Sequence, residues 1–222
     1  MIERPDNLTD LVFAEIRERI VNASLPPGSS VSEATLAKEL AVSKTPVREA
    51  LLRMRRIGLV EPTSRGLRVT LASVRSVRHA FEYRATLESD AAIYAARHAT
   101  GEQLDTVALW AAESLSCARG GDPAGFRQAD QQFHEAVAKA SGNEYMRLAI
   151  EDAFVLTVAL RQRDVSLVRD FVPDALEHLE IAKALRARDS VDASTLLAGH
   201  ALRIMNQLLD AMEQPDSAVS AG

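Results

Sequence analysis

The chain has one cysteine, Cys117, among 222 residues. That excludes an internal disulfide framework and fits a reducing compartment. No apolar run approaches the roughly 18 residues that a membrane-spanning helix needs. The opening Met1-Ile2-Glu3-Arg4-Pro5-Asp6 lacks the basic-then-apolar pattern of a signal peptide. The expectation is therefore a cytoplasmic protein with no membrane association. Aromatic residues are scarce at 5% and alanine is abundant, a balance that favours packed helices over sheets. No internal repeat is present. HExxH, a Gly-rich phosphate loop and GxSxG are all missing, so no ready catalytic motif stands out. What remains is 47% hydrophobic and 26% charged, ordinary globular values that exclude a mainly disordered, collagen-like or low-complexity chain.

The net charge of −5 argues at first against nucleic acid, but its distribution is uneven. Residues 1–72 carry eleven Lys/Arg and nine Asp/Glu, a net of +2, while the rest carries fifteen and twenty-two, a net of −7. Within 43–68, seven basic residues face two acidic ones. A small DNA-reading module attached to an acidic partner domain has this pattern, and so does a solvated basic face.

Periodicity places a first helix from Leu8 to Val21, with Leu8, Leu11, Val12, Ile16 and Ile20 on its apolar face. Pro26-Pro27-Gly28 cannot continue it and forces a turn. A short helix over about 33–41 starts at the N-cap candidate Ser32. The next starts at Ser43, with Pro46 in its first turn, Val47, Ala50, Leu51 and Met54 inward, and Gly58 as C-cap. Leu59-Val60-Glu61 and Leu67-Arg68-Val69-Thr70 then form a hairpin around Pro62-Thr63-Ser64-Arg65-Gly66. Three helices plus a β-hairpin make a winged helix-turn-helix. Beyond a boundary at Ala72-Ser73 the pattern is helical only, over about 74–99, 102–118, 123–140, 144–162, 173–188 and 191–212. The fold expected is mainly α: a winged helix-turn-helix over 1–72, an all-α antiparallel bundle over 73–213, and a frayed tail over 214–222.

In the helix-turn-helix, Leu36 and Leu40 pack the first helix, and Ala41-Val42 makes the turn with Val42 buried. Ser43, Lys44, Thr45 and Arg48 sit on the N-terminal turns of the second helix, the end that enters a major groove in this motif. Hydroxyls and free N–H groups there suit phosphates. Arg48 suits guanine O6/N7 or a phosphate. Arg65, beside the permissive Gly66, lies at the hairpin tip within reach of a neighbouring groove.

The chain has five histidines, at 79, 98, 134, 178 and 200. Asp130 and His134 are spaced i,i+4, so they project from one helical face and can share one divalent metal. His178 and His200 lie on two later helices among leucines. Each of these histidines also reads as a satisfied core or boundary residue.

Gly28 and Leu36-Ala37, then Ser43-Lys44-Thr45-Pro46-Val47-Arg48-Glu49-Ala50-Leu51, Gly58-Leu59-Val60 and Arg65-Gly66-x-x-Val69 together resemble the GntR family of regulators. The resemblance implies that Lys44, Arg48, Arg65 and Gly66 contact DNA. Ala34 departs from it, standing where many members carry Arg or Lys, and Lys44 stands where Arg is frequent, which disfavours bidentate guanine readout there. The helical half resembles the FCD ligand-binding domain of the FadR-like branch. It opens with Arg84-x-x-x-Glu88, continues with Asp130-x-x-x-His134 and Ser141-Gly142-Asn143, and ends with His178 and His200 on its last helices. The resemblance implies a divalent metal ion held by Asp130, His134, His178 and His200, with Zn, Ni, Fe and Mn all admissible. It leaves His79 and His98 as surface or boundary residues. Four ligands leave one or two coordination positions open, and a small carboxylate-like effector would fill them. Arg84 would pair with that carboxylate, or else with Glu88 one turn along its own helix.

Three functions are compatible with these features. The favoured one is a ligand-responsive DNA-binding regulator, a repressor, acting as a homodimer on double-stranded DNA with a roughly palindromic operator. In it, the linker near Ala72-Ser73 transmits the effector's influence. The alternative is a metal-dependent enzyme acting on a small carboxylic acid, disfavoured by the lack of a general-base motif. The third is a helical interaction module with structural histidines.

Overall fold

The structure, a computed structural model, describes residues 8–161 and 170–213. The expected end of the helix at 162 and the tail over 214–222 lie outside the described residues. The chain divides into two compact units between Ser73 and Val74, with the end of α7 (Glu144–Arg161) from Val158 onward counted in the first.

The first unit contains α1 (Leu8–Val21), β1 (Ser30–Val31), α2 (Glu33–Glu39), α3 (Lys44–Ile57), β2 (Val60–Thr63) and β3 (Gly66–Val69). Val12, Phe13, Ile16 and Ile20 are the buried face of α1. Leu8 and Leu11, expected inside, are 47% and 63% exposed. Phe13 takes the inward position beside Val12 instead, and the Arg53 guanidinium lies 3.9 Å over its ring. Ser32 caps α2, its hydroxyl accepting from the Thr35 amide. The turn into α3 puts Ala41 at φ 53°, and Val42 is half-buried rather than buried. Pro46, Val47, Ala50, Leu51 and Met54 bury one side of α3. Gly58 ends it at φ 88°, a left-handed conformation that glycine adopts without steric cost.

The hairpin expected after α3 is present as β2–β3, and it carries a third strand that the sequence did not suggest. β1 pairs antiparallel with the far side of β3, giving the order β1-β3-β2. The Pro26-Pro27-Gly28 turn returns the chain to the sheet, where the Gly28 amide donates to the Val69 carbonyl and the Val69 amide to that of Ser29, both at 2.9 Å. Two residues are too few to show a strand period.

The second unit is all-helical: α4 (Val74–His98), α5 (Gly101–Arg119), α6 (Pro123–Ala140), α7, α8 (Val172–Arg186) and α9 (Ser190–Glu213). The starts follow from local chemistry. Thr100 and Gln103 form a reciprocal capping box on α5. Asp122 accepts from the Ala124 and Gly125 amides ahead of Pro123, and Asn143 accepts from the Tyr145 and Met146 amides to start α7. α4 packs on α9 and α6, α5 on α6 and α8, and α8 on α9. Their shared core sets Ala92, Ala95, Ala96 and Ala111 against Phe133, Ile181, Leu185 and Leu197. The alanines of α4 and α5 thus face the larger side chains of α6, α8 and α9. Among the described residues no helix is long and apolar enough to cross a membrane.

Candidate metal centre and nucleic-acid interface

The candidate DNA-contact residues gather at the N-terminal end of α3. Ser43 is its N-cap, with extended backbone and no side-chain cap hydrogen bond. Lys44 and Thr45 are exposed. Arg48, one turn on, is also exposed, and its Nε and Nη2 each donate to Glu33 Oε2 at 3.1 Å. The first residue of α2 thus holds the guanidinium, a contact between helices that spacing along one helix could not reveal. Ala34, beside Glu33, is exposed and offers only a methyl group. At the wing tip, Thr63 pairs with Gly66 across Ser64-Arg65. The Arg65 amide donates to Thr63 Oγ1, which donates to the Gly66 carbonyl, both at 3.2 Å. The Arg65 side chain is exposed. Gly66 has φ 129° with open space where a Cβ would sit, so backbone conformation rather than crowding calls for glycine.

Within the helical unit, Asp130 and His134 from α6, His178 from α8 and His200 from α9 meet in one buried cluster. Each offers a ligand atom, and these atoms lie within 4.8 Å of one another. Asp130 Oδ1 is 3.4 Å from His178 Nε2 and 3.6 Å from His134 Nε2. The ring centroids are 4.9–5.4 Å apart. Phe133 stacks on His178 at 4.2 Å, fixing that ring's plane. His79 and His98 are exposed, outside this cluster.

The hydrogen-bond partners assign the imidazole tautomers. Ser114 Oγ donates to the Ala111 carbonyl at 2.8 Å, so toward His178 Nδ1, 3.1 Å away, it accepts. His178 therefore carries its proton on Nδ1. Glu177, a carboxylate, accepts from His200 Nδ1 at 2.7 Å, with the same consequence. Arg84 Nη2, which can only donate, lies 2.9 Å from His134 Nε2, so that nitrogen holds a lone pair. His134 Nδ1 lies 3.0 Å from Glu88 Oε1. All three rings thus carry an unprotonated Nε2; that of His134 accepts from Arg84, while those of His178 and His200 are buried without a hydrogen-bond partner. Two orphaned buried lone pairs beside a carboxylate are costly unless something positive meets them. Three imidazoles and one carboxylate are a borderline donor set that suits a divalent transition metal, so the residues fit the group.

The electrostatics match these tautomers at His178 and His200 and oppose them at His134. Burial pushes Asp130 up, and only Nε2–H donation from His134 and His178 would hold its carboxyl below the usual range, the opposite tautomer to the one their outer partners set. Burial pushes His178 down and His200 down to about 4, keeping both rings neutral near pH 7. Burial also presses on His134, yet Glu88 and Asp130 draw it upward. The hydrogen bond from Arg84 nonetheless requires its Nε2 unprotonated, and the neutral ring is the form this geometry holds.

Arg84 is fully buried. Its Nε donates to Glu88 at 2.8 Å and its Nη1 to Thr157 at 3.2 Å, and the guanidinium lies 4.5 Å from the Phe154 ring centroid. The pair with Glu88 along α4 is therefore present, and the same side chain reaches the cluster. Burial pushes Glu88 up, but Arg84 and His134 hold it down at about 2. Sequence reasoning missed Ser114, Thr157, Glu177 and Arg203 around the site. Only Glu177, next to His178 in the chain, offered a signal.

Residues 79–203 match the FCD domain family and residues 8–66 match the family described as bacterial regulatory proteins, gntR family. The chain is 30% identical over 224 residues to the "Probable D-xylose utilization operon transcriptional repressor" of Paenarthrobacter nicotinovorans, spanning 95% of this chain and 94% of that protein. It is 26% identical over 141 residues to the uncharacterized HTH-type transcriptional regulator YdhC of Bacillus subtilis, where the match spans 63% of each, under two thirds of that relative's length. Among solved structures, E. coli McbR/YncC superposes with a TM-score of 0.80 at 20% identity, covering 96% of this chain and all of that one, a likeness of fold.

Proposed function

Because the chain belongs to the gntR family of bacterial regulatory proteins, with an FCD domain as its second part, we propose that it is a metabolite-responsive repressor that binds operator DNA as a homodimer. Its relatives are transcriptional regulators, and the chain is a regulator rather than an enzyme. DNA contact is assigned to Ser43, Lys44, Thr45 and Arg48 in the major groove and to Arg65 and Gly66 on the wing. A dimer places two such surfaces on a roughly palindromic operator. Repression accords with what the Paenarthrobacter relative is described as doing.

The helical domain is assigned a divalent metal on Asp130, His134, His178 and His200. The observation that carries this is the convergence of four buried ligand residues with unpartnered Nε2 atoms on His178 and His200; ligation by His134 requires Arg84 Nη2 to leave its Nε2. A bound metal supplies a fixed positive charge with open positions for a carboxylate oxygen. Arg84, buried against His134, supplies N–H donors on one side of that position. Effector binding shifts the operator-competent population by whatever difference in affinity the two states offer, with the chain at Ala72-Ser73 linking the two parts.

The test is a mobility-shift assay on the chain's own upstream DNA, paired with metal analysis of the purified protein. Retarded DNA at low salt, relieved by a small carboxylic acid only in metal-loaded protein, is the expected result. Folded dimer that retards no DNA at any low-salt condition overturns the regulator reading. Protein that contains no metal and takes up none overturns the effector chemistry.

A further inference from the structure

Glu177 and Arg203 lie outside the four-residue cluster and form the tightest polar network around it. Glu177 Oε2 accepts from His200 Nδ1 at 2.7 Å and from Arg203 Nη2 at 2.6 Å, while its Oε1 accepts from Arg203 Nε at 2.5 Å. Arg203 Nη2 also donates to Asp174, a buried residue on α8, at 2.6 Å. One arginine of α9 thus grips two carboxylates of α8, and one of those grips the histidine one turn before that arginine.

We infer that Glu177, clamped by Arg203, is the positioning residue that makes His200 a metal donor by holding its proton on Nδ1 and its lone pair on Nε2. This rests on the metal assignment proposed above. An imidazole free to choose would put its proton on either nitrogen, and a proton on Nε2 blocks ligation. A carboxylate on Nδ1 removes that freedom, fixes the ring's orientation and makes the other nitrogen more basic. The clamp explains why a carboxylate can do this reliably. Three donors converge on the two Glu177 oxygens, and the Arg203 fork fixes the plane of its carboxylate so that an acceptor always faces His200 Nδ1. His178 is held differently, by the neutral Ser114 hydroxyl. The two later ligands therefore differ in the charge of their outer partners, and α8 contributes a ligand and the neighbouring ligand's partner from adjacent positions, Glu177-His178.

Glu177→Gln tests this with little change of shape. An amide offers one acceptor oxygen, so its NH2 must face Arg203 Nε or the His200–Arg203 side, donor against donor. The full-length protein is stripped with chelator and titrated with Zn2+ against a chromophoric competitor. In parallel, 15N–1H correlation spectra of the imidazoles of the stripped protein report the His200 tautomer. The expected result is a Zn2+ affinity lower by about 10–100-fold, with His200 leaving the single Nδ1–H form, while far-UV circular dichroism stays that of the parent. Arg203→Lys, which keeps the charge but loses the fork, is expected to fall between parent and Glu177→Gln. Parent protein that binds Zn2+, with a variant of equal affinity and unchanged tautomer, overturns the inference alone. Parent protein that binds no Zn2+ overturns the inference together with the metal assignment.

Discussion

At the scale of single residues, the three cluster histidines share a chemistry but not an environment. His178 rests on a hydroxyl, His200 on a clamped carboxylate, and His134 lies between Arg84 and Glu88. His178 is the proposed ligand whose loss disturbs the fewest charges, since its outer partner is neutral. His178→Ala is expected to abolish stoichiometric metal binding and the effector response while operator binding stays measurable. Metal content by mass spectrometry and a mobility-shift titration check this, and unchanged stoichiometry would remove His178 from the site. On the recognition helix, Arg48→Ala is expected to weaken operator binding by about 1–3 kcal/mol if its guanidinium reads a guanine. Equal loss on operator and unrelated DNA would assign it to phosphate instead. Asp130 and His134 were legible in the sequence because one helical turn separates them. His178 and His200 stood out only through resemblance, and nothing marked Ser114, because a serine on a helix carries no pattern.

At the scale of elements, boundaries followed from capping chemistry. Ser32, Thr100 and Asp122 accept from the first free amides of their helices, and Gly58 leaves α3 through a left-handed turn. Thr100→Ala removes one half of the α5 capping box and is expected to cost about 0.5–2 kcal/mol. Urea unfolding should show this as a lower midpoint with unchanged slope, and operator affinity in native buffer should not move. Two elements were misread for physical reasons. On α1, Leu11 and Phe13 flank Val12, and periodicity alone did not say which of the two turns inward. β1 is made by its partner, since Ser30-Val31 becomes a strand only by pairing with β3.

At the scale of the molecule, the proposed metal would be coupled to folding. A ligand that binds only the folded chain adds about 2.7 kcal/mol when its free concentration is 100 times its dissociation constant. The cluster joins α6, α8 and α9, so that gain would resist unfolding of the helical unit. Zn2+ is expected to raise the melting temperature of stripped protein and excess chelator to reverse the rise, while His200→Ala responds to neither. Calorimetry checks this, and an identical Zn2+-dependent shift in His200→Ala would place the stabilising ion elsewhere. The charge split belongs to this scale too. A basic recognition segment within an acidic chain confines attraction for phosphate to one part and lets the remainder repel it.

The sequence by itself determined the order of elements, most of their ends, the helix-turn-helix and the i,i+4 pair at Asp130 and His134. These depend on neighbours within a turn or two, and the chain carries that information locally. Only the tertiary structure decided which nitrogen of each imidazole carries the proton, that Arg48 is held by Glu33, and that Arg84 meets Glu88, Thr157 and His134 together. Ser114 and His178 are 64 residues apart, and Arg84 and Thr157 are 73 apart. Contacts at such separations arise when packed helices bring distant side chains to one place, and no periodicity along the chain records them.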